Sequence, residues 1–380
     1  MNPRQIGSDD TPAEVLAKTG AARRWVDVPD APAPAAPRFR MRVSAHIPGS
    51  SPAVVDVFEP AFKRLTAMSG GAIVVEGHWG GSLHKEREGI TALTSGLTDM
   101  CPVYSAWDPK SFPAAQALCL PFLFPSVEVA TQVSEELYAE FFKGDVERQG
   151  VLMGRMSATS EYNLFSREPI RRLEDIAGRR IACSDGVEAD VITALGAVPV
   201  ACSTPEAHKR FGEGDVFAVS ISDSAAHTVG IYRNAKYRTS ANLVRVNLEY
   251  GLSRKFYDSL PPDLQVVLNT WLRGAAQAGS QLFYGLAGAR AREAFHAAGM
   301  QFITLDAAEQ QRWRSQVAPV EAALRTSLDA AGYPADRLLA ALRVCTQKYA
   351  DWSADELMEQ ALQHPLRNLL PLPSRAGVAA

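Results

Sequence analysis

The chain has 380 residues, a formal net charge of −3 and 47% hydrophobic residues, which is ordinary for a globular protein. This balance excludes a strongly basic nucleic-acid-binding protein. No apolar run reaches the roughly 18 residues that a transmembrane helix needs. The five cysteines are scattered and form no C-x-x-C pair, so they indicate small buried residues rather than a disulfide framework or a zinc site.

Residues 1–37 are predicted to be a disordered lead and linker. The stretch 27–37 is rich in alanine and proline, a composition that buries too little apolar surface to fold. The hydrophobic core of a secretory signal is not visible, and Arg23-Arg24-Trp25 lacks the apolar stretch that follows a twin-arginine motif. If the start at Met1 is correct, we expect the protein to remain in the cytoplasm.

The next segment alternates between strand and helix patterns. Residues 39–46 alternate apolar and polar side chains and predict a first strand that ends at His46. A helix is predicted over 51–68, because apolar residues recur there at helical spacing. Further strands are predicted at 72–76 and 150–156. This order is typical of an α/β protein.

The stretch 173–221 carries the clearest supersecondary pattern. Short apolar runs at 180–183, 197–202 and 216–221 predict three strands. Helical spacing separates the runs, and Gly196 stands where a glycine favours the end of a helix. Such a βαβαβ pattern predicts a parallel sheet that binds its ligand at the carboxyl ends of the strands.

The last third of the chain is predicted to be mainly helical. Pro261 and Pro262 open a long helix that extends to about residue 298. Residues 299–305 form a strand or turn, helices follow to about residue 362, and the residues beyond 365 are predicted to be a tail.

Six segments of the chain resemble motifs of one known family. They are GLTDM at 96–100, LPFLF at 120–124, residues 175–182, LGAVP at 195–199, residues 214–218 and IYRNAKYRT at 231–239. By these segments the chain resembles the solute receptors of TRAP (tripartite ATP-independent periplasmic) transporters of the dicarboxylate- and sialic-acid-binding type, and the resemblance covers about residues 38–332.

The resemblance implies a two-lobed α/β clamshell like that of periplasmic binding proteins, with crossing strands and a long bridging helix. It also implies a periplasmic location, a small-molecule ligand, and the membrane subunits of a TRAP transporter as partners. The expected division is a lead (1–37), a first lobe (38–156), a second lobe (157–242), a return to the first lobe with the bridging and C-terminal helices (243–365), and a tail (366–380).

The family's ligand-facing positions map by this resemblance onto eight residues: His46, Tyr104, Tyr162, Ala182, Asp185, Thr204, Phe217 and Ile221. The two arginines that hold a ligand carboxylate in the family fall on Tyr162 and Ala182. A guanidinium group offers rigid paired donors that neither residue replaces. We therefore expect weak binding of C4-dicarboxylates and sialic acid, and a neutral or largely apolar ligand. Trp79 and Trp107 are candidates for an aromatic pocket.

The sequence is compatible with two functions. The first is a solute-binding protein whose lobes close on a small molecule. The second is a cytoplasmic isomerase, lyase or cyclase on the same clamshell, acting on an apolar substrate with His46, Tyr104, Tyr162 and Asp185 as acid–base candidates. No cofactor or metal is expected, because phosphate-binding, dinucleotide and metal-ligand motifs are missing from the sequence.

Overall fold

A computed structural model describes residues 2–29 and 37–373. Its described strands are β1 (Phe39–Ser44), β2 (Ile73–His78), β3 (Met100–Val103), β4 (Leu152–Ala158), β5 (Asn163–Ser166), β6 (Arg180–Cys183), β7 (Val198–Ala201), β8 (Ala218–Ile221), β9 (Tyr237–Ser240), β10 (Asn247–Leu252) and β11 (Gln301–Thr304). They form two sheets, and each sheet is the centre of one lobe. The predicted two-lobed α/β fold is confirmed.

The described helices surround these sheets. They are α1 (Pro12–Lys18), α2 (Gly20–Val26), α3 (Glu59–Met68), α4 (Gly89–Thr94), α5 (Val127–Leu137), α6 (Lys143–Arg148), α7 (Val187–Ala194), α8 (Thr204–Glu213), α9 (Asp223–Thr228), α10 (Arg254–Ser259), α11 (Pro262–Ala278), α12 (Ala287–Ala297), α13 (Ala307–Val317), α14 (Pro319–Ala330), α15 (Ala335–Tyr349) and α16 (Ala354–Gln363). Within the described ranges, no helix is long and apolar enough to span a membrane.

The first sheet has the strand order β2-β1-β3-β10-β4. Strand β1 is parallel to β2 and β3, whereas β10 runs antiparallel to β3 and β4. The second sheet has the order β11-β9-β5-β8-β6-β7, in which β6 is parallel to β7 and β8, and β5 is antiparallel to β8. The chain therefore crosses between the lobes from β4 to β5 and again from β9 to β10.

The predicted long helix is present and joins the two lobes. It runs through α11, a π-helical stretch (Gly279–Leu286) and α12 without leaving helical geometry. In α11, the indole of Trp271 is buried and donates to the carbonyl of Ala61 in the first lobe at 2.6 Å. In α12, Phe295 meets Phe165 of the second lobe edge to face. One aromatic side chain thus fixes the helix to each lobe, Trp271 by its hydrogen bond and Phe295 by ring packing.

The prediction of a disordered lead is wrong for residues 2–26. Thr11 and Glu14 form a capping box at the start of α1, and Ile6, Val15 and Trp25 are buried. Helices α1 and α2 have seven residues each, too few to be stable alone, so tertiary contacts stabilise them. Residues 30–36, in the predicted linker, lie outside the described residues.

The C-terminal third differs from the expected division in two places. Strand β11 pairs with β9 and so belongs to the second sheet rather than to the first lobe. Residues 366–373 are not a free tail, because Leu369 and Leu370 are buried and Asn368 donates to the carbonyl of Glu136 at 3.0 Å. Residues 374–380 of the expected tail lie outside the described residues. Long-range pairing of this kind leaves no local signal in the sequence.

Candidate functional site

A cavity lies between the lobes, where a small-molecule site is expected in a two-lobed protein. Both lobes and the bridging helix contribute to its wall. The lining residues are His46, Ile47, Val57, Phe58, Tyr104, Trp107, Arg155, Ser157, Thr159, Tyr162, Thr204, Ile221, Ser222, Ala225, Thr228, Val229, Leu248, Tyr250, Gly279, Phe283 and Tyr284. Seven of them are aromatic residues (Phe58, Tyr104, Trp107, Tyr162, Tyr250, Phe283 and Tyr284), which favours a ligand with a flat apolar body.

Several residues of this wall lie at the carboxyl ends of strands. His46 follows β1, Tyr104 follows β3 and Ile221 ends β8. Thr204 opens α8 after β7, where a capping box between Ser203 and the side chain of the third helical residue fixes the start of the helix. The carboxyl ends of parallel strands meet at one edge of a sheet, so the chain brings these residues to the cleft.

Arg155, in the middle of β4, is the one permanently charged side chain among the described lining residues. It is buried, and its guanidinium lies 4.2 Å from the ring centre of Tyr250 and 5.4 Å from that of Phe58. Its Nη1 donates a hydrogen bond to the hydroxyl of Ser157. The glycine at 279 makes room for it, because a Cβ there would lie 3.1 Å from its Nη1.

No carboxylate of the described residues forms an ion pair with Arg155. The nearby Glu135 is held instead by Arg273 at 2.6 Å. Burial lowers the pKa of Arg155, whereas the electrostatic influence of tyrosines and of Glu135 acts in the opposite direction. A buried cation without a counter-ion is costly, so this geometry suits a ligand that supplies the negative charge.

A hydrogen-bonded set of polar side chains lies on the first-lobe wall of the cavity. The hydroxyl of Tyr104 and Nδ1 of His46 are 3.1 Å apart, and Nε2 of His46 lies 3.0 Å from Oε1 of Glu86. The other oxygen of Glu86 accepts the backbone N–H of Thr204 at 3.1 Å and so connects the lobes. Burial raises the pKa of Tyr104 and of Tyr162 well above the usual value, so both phenols are neutral at neutral pH.

Five of the eight predicted site residues line the cavity: His46, Tyr104, Tyr162, Thr204 and Ile221. Trp107 also lines it, whereas Trp79 packs behind it against Phe58, with ring centres 5.4 Å apart. Whether these residues contact a ligand remains a prediction. Ala182 is fully buried and lines a smaller side pocket that shares Trp107, Tyr162, Thr204 and Ile221 with the main cavity.

The structure places Asp185 and Phe217 outside the cavity. Asp185 faces the other lobe and pairs with Arg87 at 3.0 Å. Phe217 precedes β8, at the end of the strand opposite the cavity, and its ring lies 3.7 Å below the guanidinium of Arg179. Among residues 2–29 and 37–373, no group of three His, Cys, Asp or Glu side chains is arranged to hold a metal ion.

Sequence reasoning missed Arg155 and the aromatic residues of β10 and the bridging helix. Arg155 lies inside an otherwise apolar strand, VLMGRMSA over 151–158. An arginine in such a run is unusual, because arginine is seldom buried without a partner. This anomaly was the available signal, but the mapping from the family considered only Tyr162 and Ala182.

The family model of bacterial extracellular solute-binding proteins, family 7, matches residues 44–326. The chain belongs to this family. It is thus a solute-binding protein, as the resemblance to TRAP receptors predicted.

Individual relatives are distant. The uncharacterized protein YiiZ of Salmonella typhimurium is 22% identical over 236 residues, which are 61% of this chain and 72% of YiiZ. A TRAP solute-binding protein from a marine metagenome, specific for aromatic acid ligands and solved with 3-hydroxybenzoate, has a TM-score of 0.77 at 19% identity over 83% of this chain and 99% of that one. A protein from Bradyrhizobium sp., in complex with galacturonate, has a TM-score of 0.71 at 21% identity over 81% and 99%.

Proposed function

We propose that the interlobe cavity binds a small organic acid with an aromatic body and one carboxylate, and that Arg155 holds the carboxylate. The observation that carries this proposal is the buried guanidinium on the cavity wall, which has no carboxylate partner among the described residues. A ligand carboxylate would accept charge-assisted hydrogen bonds from it, which are about twice as strong as neutral ones.

The rest of the wall supports the aromatic body. Rings from both lobes and from the bridging helix surround the cavity, and aromatic pairs contribute about 0.5–1.5 kcal/mol each beyond simple burial. We propose that Tyr104, Tyr162 and Ile221 contact the ring. His46 of the first lobe and Thr204 of the second lobe then lie at the edge of the ligand.

This proposal replaces the expectation of a neutral or largely apolar ligand with that of an aromatic acid that carries one negative charge. That expectation rested on the loss of arginine at the two mapped positions, and it left out Arg155. One guanidinium satisfies one carboxylate, so a second charge on a C4-dicarboxylate would stay desolvated and unpaired. A sugar acid would place several hydroxyl groups against aromatic walls. The structural neighbours bind acids of both kinds, aromatic acids and a hexuronate, and the apolar lining favours the first.

The partners and the location follow the family. We propose that the protein acts in the periplasm and delivers its ligand to the membrane subunits of a TRAP transporter. The alternative of a cytoplasmic enzyme gains no support from the relatives. Fractionation of the host separates these locations, because recovery only in the cytoplasm would contradict the transport role.

Isothermal titration against four probes tests the ligand class: benzoate, the neutral isostere benzamide, succinate and galacturonate. We expect benzoate to bind at least about tenfold more tightly than benzamide, since one charge-assisted bond contributes about 1.5–3 kcal/mol. Succinate and galacturonate should bind weakly. Equal affinities for benzoate and benzamide, or tighter binding of succinate, would contradict the proposal.

A further inference from the structure

The segment of residues 2–26, here called the N-terminal strap, precedes the part of the chain that matches the family. It is nevertheless part of the folded structure, and it packs along the bridging helix. We call the π-helical stretch Gly279–Leu286 the joint, because it separates the part of that helix on the first lobe from the part on the second. The joint contributes Gly279, Phe283 and Tyr284 to the cavity wall.

On the side of the first lobe, α2 fixes the strap to α11 and to the C-terminal helices. The ring of Trp25 packs so closely on Gly274 that a Cβ there would lie 2.8 Å from it. The carbonyl of Trp25 accepts from Nε of Arg64 at 2.7 Å. The backbone N–H of Ala21 donates to Asp355 of α16 at 2.7 Å. This end of the strap is therefore fixed to the first lobe and to the C-terminal helices.

At the joint itself the strap makes an apolar contact. Ile6 lies 2.9 Å from the position of a Cβ on Gly285, and Val15 lies 3.6 Å from it. The backbone N–H of Ile6 donates to the buried carboxylate of Glu128 at 2.9 Å. The strap thus crosses the joint on a surface with no room for a side chain at Gly285.

On the side of the second lobe, Arg292 of α12 connects the strap to the cavity wall. Its Nη2 donates to the carbonyl of Asp10 at 2.5 Å, and its Nη1 lies 3.1 Å from Oδ2 of Asp223. The carboxylate of Asp223 also accepts hydrogen bonds from Nε and Nη2 of the buried Arg238, at 2.7 and 2.8 Å. Asp223 begins α9, which together with the preceding Ser222 lines the cavity.

We propose that the N-terminal strap is a positioning element of the binding site, which holds the joint and α9 in the closed arrangement, and that Arg292 is the positioning residue through which it acts on the second lobe. Opening of the cleft requires the two parts of the bridging helix to move relative to each other. A segment fixed on both sides of the joint opposes that movement. The lobes touch in this arrangement, through Arg87 with Asp185 and Glu86 with Thr204, so a strap that holds it favours the closed state and slows ligand release. This inference rests on the proposed function only in taking the cavity as the ligand site.

Two variants weaken the strap at different points without changing a cavity residue: Arg292→Gln at the second lobe and Ile6→Ala at the joint. Arg343→Gln is the matched control, because Arg343 forms an exposed ion pair with Glu321 on the C-terminal helices. The first readout is hydrogen–deuterium exchange of the joint and α9 in ligand-free protein. The second is the dissociation rate of benzoate, followed by the intrinsic tryptophan fluorescence, to which Trp107 on the cavity wall contributes.

We expect both strap variants to increase exchange in the joint and α9, and to accelerate benzoate release roughly fivefold or more, the lower range of measured coupling between sites. Arg292→Lys should restore part of the effect because it keeps the charge, and Arg343→Gln should behave as wild type. Unchanged exchange in both strap variants would overturn the inference. If benzoate does not bind the wild type, the proposed ligand class fails, while the exchange measurement still decides the role of the strap.

Discussion

Replacing Arg155 by methionine tests the proposed carboxylate contact most sharply. Methionine fills a similar volume with an apolar, flexible side chain and removes the charge. The side chain of Arg155 contacts Tyr250, Phe58 and Ser157 but forms no ion pair with a described carboxylate. The variant should therefore affect the ligand complex much more than the free protein.

The substitution should have different effects on ligand affinity and on the stability of the free protein. Truncating one partner of a buried, hydrogen-bonded charge pair costs about 2–5 kcal/mol, so benzoate affinity should fall by roughly 30-fold or more. The free energy of unfolding of the ligand-free protein should stay unchanged or rise, since replacing a buried charge by an apolar residue is often neutral or stabilising. Arg155→Lys should lie between, because it keeps the charge and loses the paired donors.

Titration calorimetry and thermal unfolding of the three proteins, with benzoate and with benzamide, measure both effects. The affinity for benzamide should change little in Arg155→Met. Benzoate binding that survives the substitution unchanged would refute the role of Arg155. A large loss of stability in the ligand-free variant would show that the guanidinium serves the fold instead.

Two further predictions concern closure and pH. Gly186 has φ 64°, and a Cβ there would lie 1.9 Å from the amide oxygen of Gln116 on the first lobe, so Gly186→Ala should hinder closure and weaken benzoate binding. Gly178→Ala is its control in calorimetry, because φ is also positive (68°) but nothing lies within 4 Å; equal losses in both would contradict the steric explanation. Burial raises the pKa of Glu188 to about 7, so the stability it contributes is complete below its ordinary pKa of 4.5 and is lost as the pH rises through 7. Between pH 4.5 and 8, the free energy of unfolding of the wild type should fall on the order of 3 kcal/mol more than that of Glu188→Gln, as measured by denaturant unfolding. Parallel pH profiles of the two proteins would contradict this prediction.

The sequence was informative wherever the pattern was local. The predicted strand 180–183 matches β6, and the predicted long helix corresponds to α11, the joint and α12. Residues at the carboxyl ends of strands, such as His46 and Ile221, reached the cavity, because strand direction determines which ends meet. These features depend on periodicity and topology, which a single chain displays.

Other features depend on contacts between distant segments. The helices of the strap are too short to form alone, and the segment was therefore predicted to be disordered. In the structure, the buried side chains of Ile6, Val15 and Trp25 anchor these helices to the rest of the protein. The orientation of Arg155 follows from the register of β4 against β10 and from the space beside Gly279. Neither is visible in residue spacing. Mapping site residues from a family also fails where the charged group has a different position in the chain.

A crystal structure of the protein with bound benzoate tests the central claim most directly. We predict that the ring lies between the aromatic walls of the cavity and that the carboxylate oxygens lie about 2.7–2.9 Å from the guanidinium nitrogens of Arg155. A benzoate whose carboxylate points instead toward His46 and Tyr104, or into the side pocket beside Ala182, would contradict the account.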